Sequence, residues 1–420
     1  MKTSVSWVQF LSRNRTGIAV CVLVFLSFLH LFFALRTHVF FSGDDFAVLA
    51  YIRAHTALDM TRTFLTQGDI WGFKKILGYL FFTAIFRSFG IQSLFFLLFN
   101  HLLHTINVIL VFSLVSALTK DRLTGLFSGL VANRLYLFYF SNIHEYLALF
   151  FILISAWLFL KYPGYLYLSG LAFLLGLLTK EITLTFLFLM LAIVLLRKYS
   201  LTRVIPFICL SFIYLMFQAL PFISRLPVSP DHPYRLGFPT WGNWLFYLNF
   251  PAIFLAVAIV IFRRRHTALP VLLGYLAAIL PVLFLVNRRE IYYQYIPTSF
   301  LAVLFGLVLP RISAKSIPVY LAAALTLGGR SLFPPVAFKS YPNWQLVSIN
   351  NALTVIASNL ASRPGSVNIN LESLPLERDA RLMLGSQVVD LFLPPALSAD
   401  YVFNYNRDTH VLSAVKKSLH

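Results

Sequence analysis

The sequence predicts an all-α polytopic membrane protein of about 11 transmembrane helices, with a long first outer loop and a small C-terminal α/β domain. Three observations predict it. Hydrophobic residues make up 59% of the 420-residue chain and charged residues only 12%, about half the charged share of an ordinary soluble domain. The apolar residues fall in runs close to the ~20 residues that cross a bilayer. Basic residues gather in short clusters between alternate runs, the pattern of loops on the cytoplasmic side of a membrane.

Each element follows from these patterns. Lys2, Arg13 and Arg15 precede the apolar run from Gly17 to Leu35, which is long enough to span and is followed by no small-residue cleavage site. It reads as a retained first helix, near 17–36. The loop 37–90 contains two mixed segments, 46–58 and 70–88, suited to amphipathic helices lying on the membrane surface. Further spans are expected near 91–118, 123–140, 146–160, 163–178, 182–196, 204–222, 245–262, 267–286, 295–310 and 316–332. Beyond 333 the apolar runs shorten and Asn, Ser, Pro and acids appear, so the chain divides into a membrane domain, 1–332, and an outer domain, 333–420. Candidate strands of the second domain are Ser366–Leu371 and Val388–Phe392.

With the N-terminus in the cytoplasm, the cytoplasmic pieces carry Lys120, Arg122, Lys161, Arg197, Lys198, Arg203, Arg263, Arg264, Arg265, Arg311 and Lys315 besides the N-terminal cluster. A single acid, Asp121, stands among them. The net charge of +19 is therefore topological, and a nucleic-acid partner is not expected. Cys21 and Cys209 sit inside apolar runs and suit packing or lipid-facing positions, not a disulfide framework or a thiolate metal site.

The other acids before residue 333 all fall on the extracytoplasmic face: Asp44, Asp45, Asp59, Asp69, Glu145, Glu181, Asp231 and Glu290. Carboxylates contribute little to topology, so this one-sidedness points to a shared wet cavity. Four segments on that face carry the candidate chemistry. They are Ser42–Phe46 with its pair Asp44–Asp45; Ser141–Glu145 with His144; Thr179-Lys180-Glu181; and Asn287–Pro297, with Arg288, Arg289, Glu290 and Tyr293. Each has an ordinary reading as well: a solvated acid pair, acids at helix N-termini, tyrosines of an interfacial belt.

In order and spacing, these segments resemble the GT-C fold of polyprenyl-phosphate-sugar-dependent glycosyltransferases, near the protein O-mannosyltransferases and lipid A aminoarabinose transferases, over about residues 35–310. Asp44-Asp45 is similar to the acidic pair of that family's first outer loop. Lys75-Ile76-Leu77-Gly78-Tyr79 sits where Arg-Pro-Leu-Gly-Tyr is usual, and Phe99–Asn107 resembles the second-helix pattern, with His104 at the usual histidine. Thr179-Lys180-Glu181 is similar to the family's Lys-Glu step, and Tyr293–Pro297 to its Tyr-x-Tyr-x-Pro segment. The stretch 142–145 resembles His-Pro-x-x-x-Glu but lacks the leading histidine and the proline, and Lys75 replaces arginine. Donor and acceptor identity therefore stay open.

The resemblance implies a lipid-phosphate-linked sugar as donor and transfer, with inversion, to a protein, lipid or glycan acceptor on the extracytoplasmic face. Such chemistry needs a base for the acceptor hydroxyl, and Asp44 is the candidate, with Asp45 beside it. It needs cations for the departing lipid phosphate, and these are Arg288, Arg289, Lys75 and Lys180. His104, His144, Glu145, Glu181, Glu290 and Tyr293 are expected to support the site. The acid pair suits Mg²⁺ or Mn²⁺ with waters and phosphate, but no dense carboxylate cage accompanies it, so no obligatory metal or other cofactor is expected. His101 and His104, three residues apart on one helix face, suit polar packing or a donor contact better than zinc. Two other classes remain: a transporter or flippase of lipid-linked saccharide, and a non-catalytic subunit that keeps the fold.

Overall fold

The computed structural model describes residues 15–36, 44–67, 75–133, 140–162, 164–223, 237–239, 241–242, 244, 265–284, 291–308, 353–361, 366–370, 401–406, 409 and 411–416. These residues form a mostly helical membrane protein with one small sheet. Helices α1 (Arg15–Arg36), α2 (Asp44–Ala54), α3 (Ala57–Thr66), α4 (Ile76–Phe89), α5 (Ser93–Thr119) and α6 (Arg122–Ala132) come first. They are followed by α7 (Ile143–Lys161), α8 (Leu166–Leu177), α9 (Phe186–Arg197), α10 (Ile205–Ile223), α11 (Arg265–Leu283) and α12 (Tyr295–Val308). Among the described residues four helical stretches are long and apolar enough to cross a bilayer, within α1, α5, α7 and at Leu201–Gln218, and five shorter apolar helices accompany them. The expected spans 245–262 and 316–332 and the expected strand Val388–Phe392 lie outside the described residues.

Apolar residues on both faces mark these helices as lipid-facing. On α1, Leu23, Leu31 and Ala34 are buried while Phe25, Phe28, Phe32 and Leu35 are exposed. A soluble helix would place polar residues on that second face; here lipid covers it. The free Cys21 and Cys209 are exposed on the same kind of surface. At the centre stands α12, every residue of which is buried. Its Gly306 leaves no room for a Cβ against Val115 of α5 and Ser128 of α6, the close approach that small residues permit between membrane helices.

One expectation is seen in part and two are corrected in detail. Of the span expected over 123–140, the helix Arg122–Ala132 is seen, and residues 134–139 lie outside the described residues. Asn133, which follows this helix, is hydrogen-bonded to His104. The segment 70–88 is not a helix lying on the surface: α4 buries Ile76, Tyr79, Phe82 and Ile85, and its Leu77 N–H donates to the Leu178 carbonyl at 3.1 Å. The single surface helix expected over 46–58 is two helices, broken at Thr56, whose side chain caps α3 in a reciprocal capping box with Asp59.

The basic pieces at 119–122, 161–162 and 197–203 converge on one end of the bundle. There Arg197 Nη2 donates to the Ala117 carbonyl and the Tyr199 hydroxyl to the Leu160 carbonyl at 3.4 Å. Lys120 and Lys198 adopt the left-handed conformation that ends α5 and α9. Asp121, the exceptional acid of this end, caps α6 by accepting from the Leu123 and Thr124 backbones and the Thr124 hydroxyl.

In the C-terminal region a helix over 353–361, α13, covers an antiparallel sheet of order β1-β3-β2, with β1 Ser366–Asn370, β2 Tyr401–Asn406 and β3 Val411–Lys416. Strand β1 lies where Ser366–Leu371 was expected. Ile356 and Leu360 of the helix meet Val367, Ile369, Tyr401, Leu412 and Ala414 of the sheet.

Candidate functional site

The end of the bundle opposite the basic turns gathers most of the candidate residues. Helix α7 begins there, and Glu145 in its first turn is buried. It stands ~24 Å along the helix from Lys161, at 1.5 Å per residue. Helix α8 climbs toward the same end and terminates before Thr179-Lys180, where the chain turns through a short 3₁₀ segment, Glu181–Thr185, into α9. This turn sets Lys180 Nζ against Glu145 Oε1 in a buried ion pair. The ammonium also lies 5.5 Å from the centre of the Tyr293 ring, a cation–π contact that helps offset its desolvation.

The backbone bond from Leu77 to Leu178 brings Lys75 to the same place, at the N-terminus of α4. The charges of Lys75 and Lys180 both reach His144, and those of Lys180, Glu181 and Lys75 reach Glu145. His144 is buried with its ring 5.1 Å from that of Tyr79. A Cβ at Gly78 would overlap the same ring, so α4 approaches α7 this closely only because residue 78 is glycine.

Asp44 opens α2 and Asp45, its second residue, is 1% exposed. This helix packs against α4 and against the 3₁₀ turn Phe140–Asn142 that leads into α7. Tyr51, farther along α2, meets Tyr79 at 6.0 Å and Phe64 of α3 at 5.6 Å. The acid pair and the Lys75–Glu145–Lys180 group are thus attached to the same aromatic wall. Arg288, Arg289 and Glu290 lie outside the described residues.

His104 belongs to a second polar group, deeper in the bundle. Its Nε2 lies 3.2 Å from Asn133 Oδ1 and its Nδ1 3.0 Å from the Tyr295 hydroxyl. Asn133 Oδ1 only accepts, so in a neutral His104 the proton sits on Nε2 and Nδ1 accepts from Tyr295. The Tyr295 hydroxyl in turn accepts from Asn107 Nδ2 at 3.3 Å, and Asn107 Nδ2 also donates to the Tyr146 carbonyl at 2.9 Å. Tyr146 follows Glu145 and meets Tyr295 ring to ring at 4.7 Å. His30 of α1 approaches His104 at 6.2 Å between ring centres.

The structure therefore brings together Lys75, His144, Glu145, Lys180, Glu181 and Tyr293, with α2 carrying Asp44 and Asp45 beside them, and sets His104 one layer away. Sequence reasoning missed His30 and Asn133. A histidine within the apolar run 17–36 is itself a signal; Asn133 has none, because its role depends on where α6 stops. Several buried polar atoms here have no hydrogen-bond partner among the described residues: His144 Nδ1, Asn142 Nδ2 and Glu181 Oε2. Among the described residues no group of three or more His, Cys, Asp or Glu is arranged to hold a metal ion. In comparisons with known proteins, no family model and no curated protein matches this chain.

Proposed function

We propose that the protein is a membrane glycosyltransferase that moves a sugar from a polyprenyl-phosphate donor to an acceptor on the extracytoplasmic face, with inversion, through a GT-C-like domain of eleven spans. The N-terminus is cytoplasmic, and the catalytic end and the C-terminal domain are extracytoplasmic. One observation carries this reading: cations and carboxylates from α4, α7 and the 178–181 turn converge beside the helix that begins at Asp44-Asp45, at the end of the bundle opposite the basic turns. A polar substrate head and an apolar polyprenyl tail need such a polar end within an apolar bundle.

In the proposed reaction the Asp44 carboxylate takes the proton of the acceptor hydroxyl. The acceptor oxygen forms a bond to the anomeric carbon while the bond from that carbon to the phosphate oxygen breaks, and the electron pair leaves with the polyprenyl phosphate. Lys75, Arg288 and Arg289 meet the negative charge that develops on the leaving group. Lys180 is already paired with Glu145, so its part is to hold the buried carboxylate and Tyr293 in place and to add positive potential. The donor site needs no obligatory metal.

The test is transfer of radiolabelled sugar from polyprenyl-phosphate donors in membranes containing the wild-type chain or Asp44→Asn. Label reaching an acceptor with the wild type alone supports the reading. Equal transfer by both removes Asp44 as the base, and transfer by neither, with native acceptors and a full set of donor sugars, overturns the activity.

A further inference from the structure

The basic end of the bundle carries charge for which the proposed reaction has no use. Lys120, Arg122, Lys161, Arg197, Lys198 and Arg203 occupy its turns, and Asp121 among them is committed to capping α6. Two of the cations are held in place. The Arg203 guanidinium lies 4.5 Å over the ring of Tyr199. That ring is fixed by the bond from its hydroxyl to Leu160 and by an edge contact with Phe159 at 6.2 Å. Arg197 bridges α9 to the C-terminal carbonyls of α5 through Ala117, where the helix dipole favours a cation. Among the described residues neither arginine pairs with a carboxylate, and the buried Arg197 Nε and Arg203 Nη1 have no hydrogen-bond partner among them.

Apolar surface continues directly from this turn. Leu201 of the 3₁₀ segment Leu201–Val204 is exposed, and so are Ile205, Ile208 and Phe212 of α10, at the three-four spacing that makes one stripe along a helix. Nearby, Tyr162, Tyr165 and Tyr167 are exposed beside Lys161 and touch ring to ring at 6.4 and 6.0 Å, as tyrosines do at the level of lipid headgroups.

We propose that the turn 197–203 with the start of α10 is a binding site for an anionic phospholipid, its phosphate oxygens accepting from Arg203 and Arg197 and one acyl chain lying along the Leu201–Phe212 stripe. Guanidinium forks match phosphate oxygens, and side chains already fixed by stacking lose little freedom on binding. The stripe selects a lipid over a small anion, because the charge alone would serve either. This site stands apart from the proposed transferase reaction.

The test uses the full chain purified in detergent, with phosphatidylglycerol, phosphatidylcholine of the same acyl chains, or inorganic phosphate added. Bound lipid is read by native mass spectrometry and the unfolding midpoint by thermal scan. Phosphatidylglycerol is expected to bind about fivefold more tightly than phosphatidylcholine, the size of one basic residue's contribution near a charged lipid surface. Arg203→Gln should abolish most of that preference, Arg203→Lys should keep part of it, and Tyr199→Leu, which leaves the charge but removes its platform, should weaken it. Equal binding of the two lipids, or an unchanged preference in Arg203→Gln, overturns the site. A midpoint shift from inorganic phosphate equal to that from phosphatidylglycerol overturns the lipid assignment.

Discussion

Lys180 and Glu145, 35 residues apart in sequence, form an ion pair that is buried on both sides. Removing one partner leaves a buried charge alone, which costs about 3–5 kcal/mol, whereas removing both leaves none. Lys180→Met and Glu145→Gln should therefore each lower the thermal unfolding midpoint in detergent, and the double variant should recover part of the loss. A double variant as unstable as the sum of the singles would show that the two side chains act independently.

The pair illustrates what the sequence discloses and what it hides. Apolar run length and the placing of arginines and lysines are local properties, so α1, α5, α7 and α10 were legible as spans, and so was the nearness of Asp45, Glu145 and Glu181 to one end of the bundle. Glu145 and Lys180 were legible as polar residues of that end, from their helix positions. Their pairing was not, because it depends on how α8 is placed against α7, which is decided by contacts such as Ser155 with Ser169. The contact of Asn133 with His104 was hidden for the same reason: it joins side chains of two helices that the sequence does not place side by side.

Gly78 admits the His144 ring against α4. Gly78→Ala should destabilise the protein by about 1–3 kcal/mol, the usual cost of forcing a methyl group into a packed interior. It should also reduce the proposed sugar transfer by displacing His144 from Lys75 and Lys180. A stability equal to wild type, measured by thermal unfolding, would contradict this packing.

Tyr295 links His104 to Asn107 through one hydroxyl. Tyr295→Phe keeps the ring against Tyr146 but leaves His104 Nδ1 without this donor, at a cost of about 1–3 kcal/mol for a buried polar group. A matching loss is expected from Asn107→Leu, and the double variant should lose less than the sum, since both act on one chain of hydrogen bonds. Strict additivity would contradict the shared network.

The Asp59 carboxylate is held below the ordinary carboxylate range, chiefly by the Thr56 hydroxyl at 2.5 Å and then by the Thr56 backbone N–H. A depressed carboxyl stabilises the folded form above its unfolded pKa, and that contribution fades as pH falls through the folded value. Hydrogen exchange of the α3 amides should therefore quicken as the solution is acidified through that range. Thr56→Ala should quicken it already at neutral pH and flatten the pH dependence.

The proposed reaction breaks a sugar–phosphate bond in the membrane. The most direct measurement is release of polyprenyl phosphate by the purified, reconstituted protein, supplied with radiolabelled polyprenyl-phosphate sugars and an extract of membrane acceptors. One polyprenyl phosphate should be released for each sugar transferred, with release abolished in Asp44→Asn. Labelled donor that crosses the liposome membrane intact, with no polyprenyl phosphate formed by wild type, would contradict it and identify a transporter of the lipid-linked sugar instead.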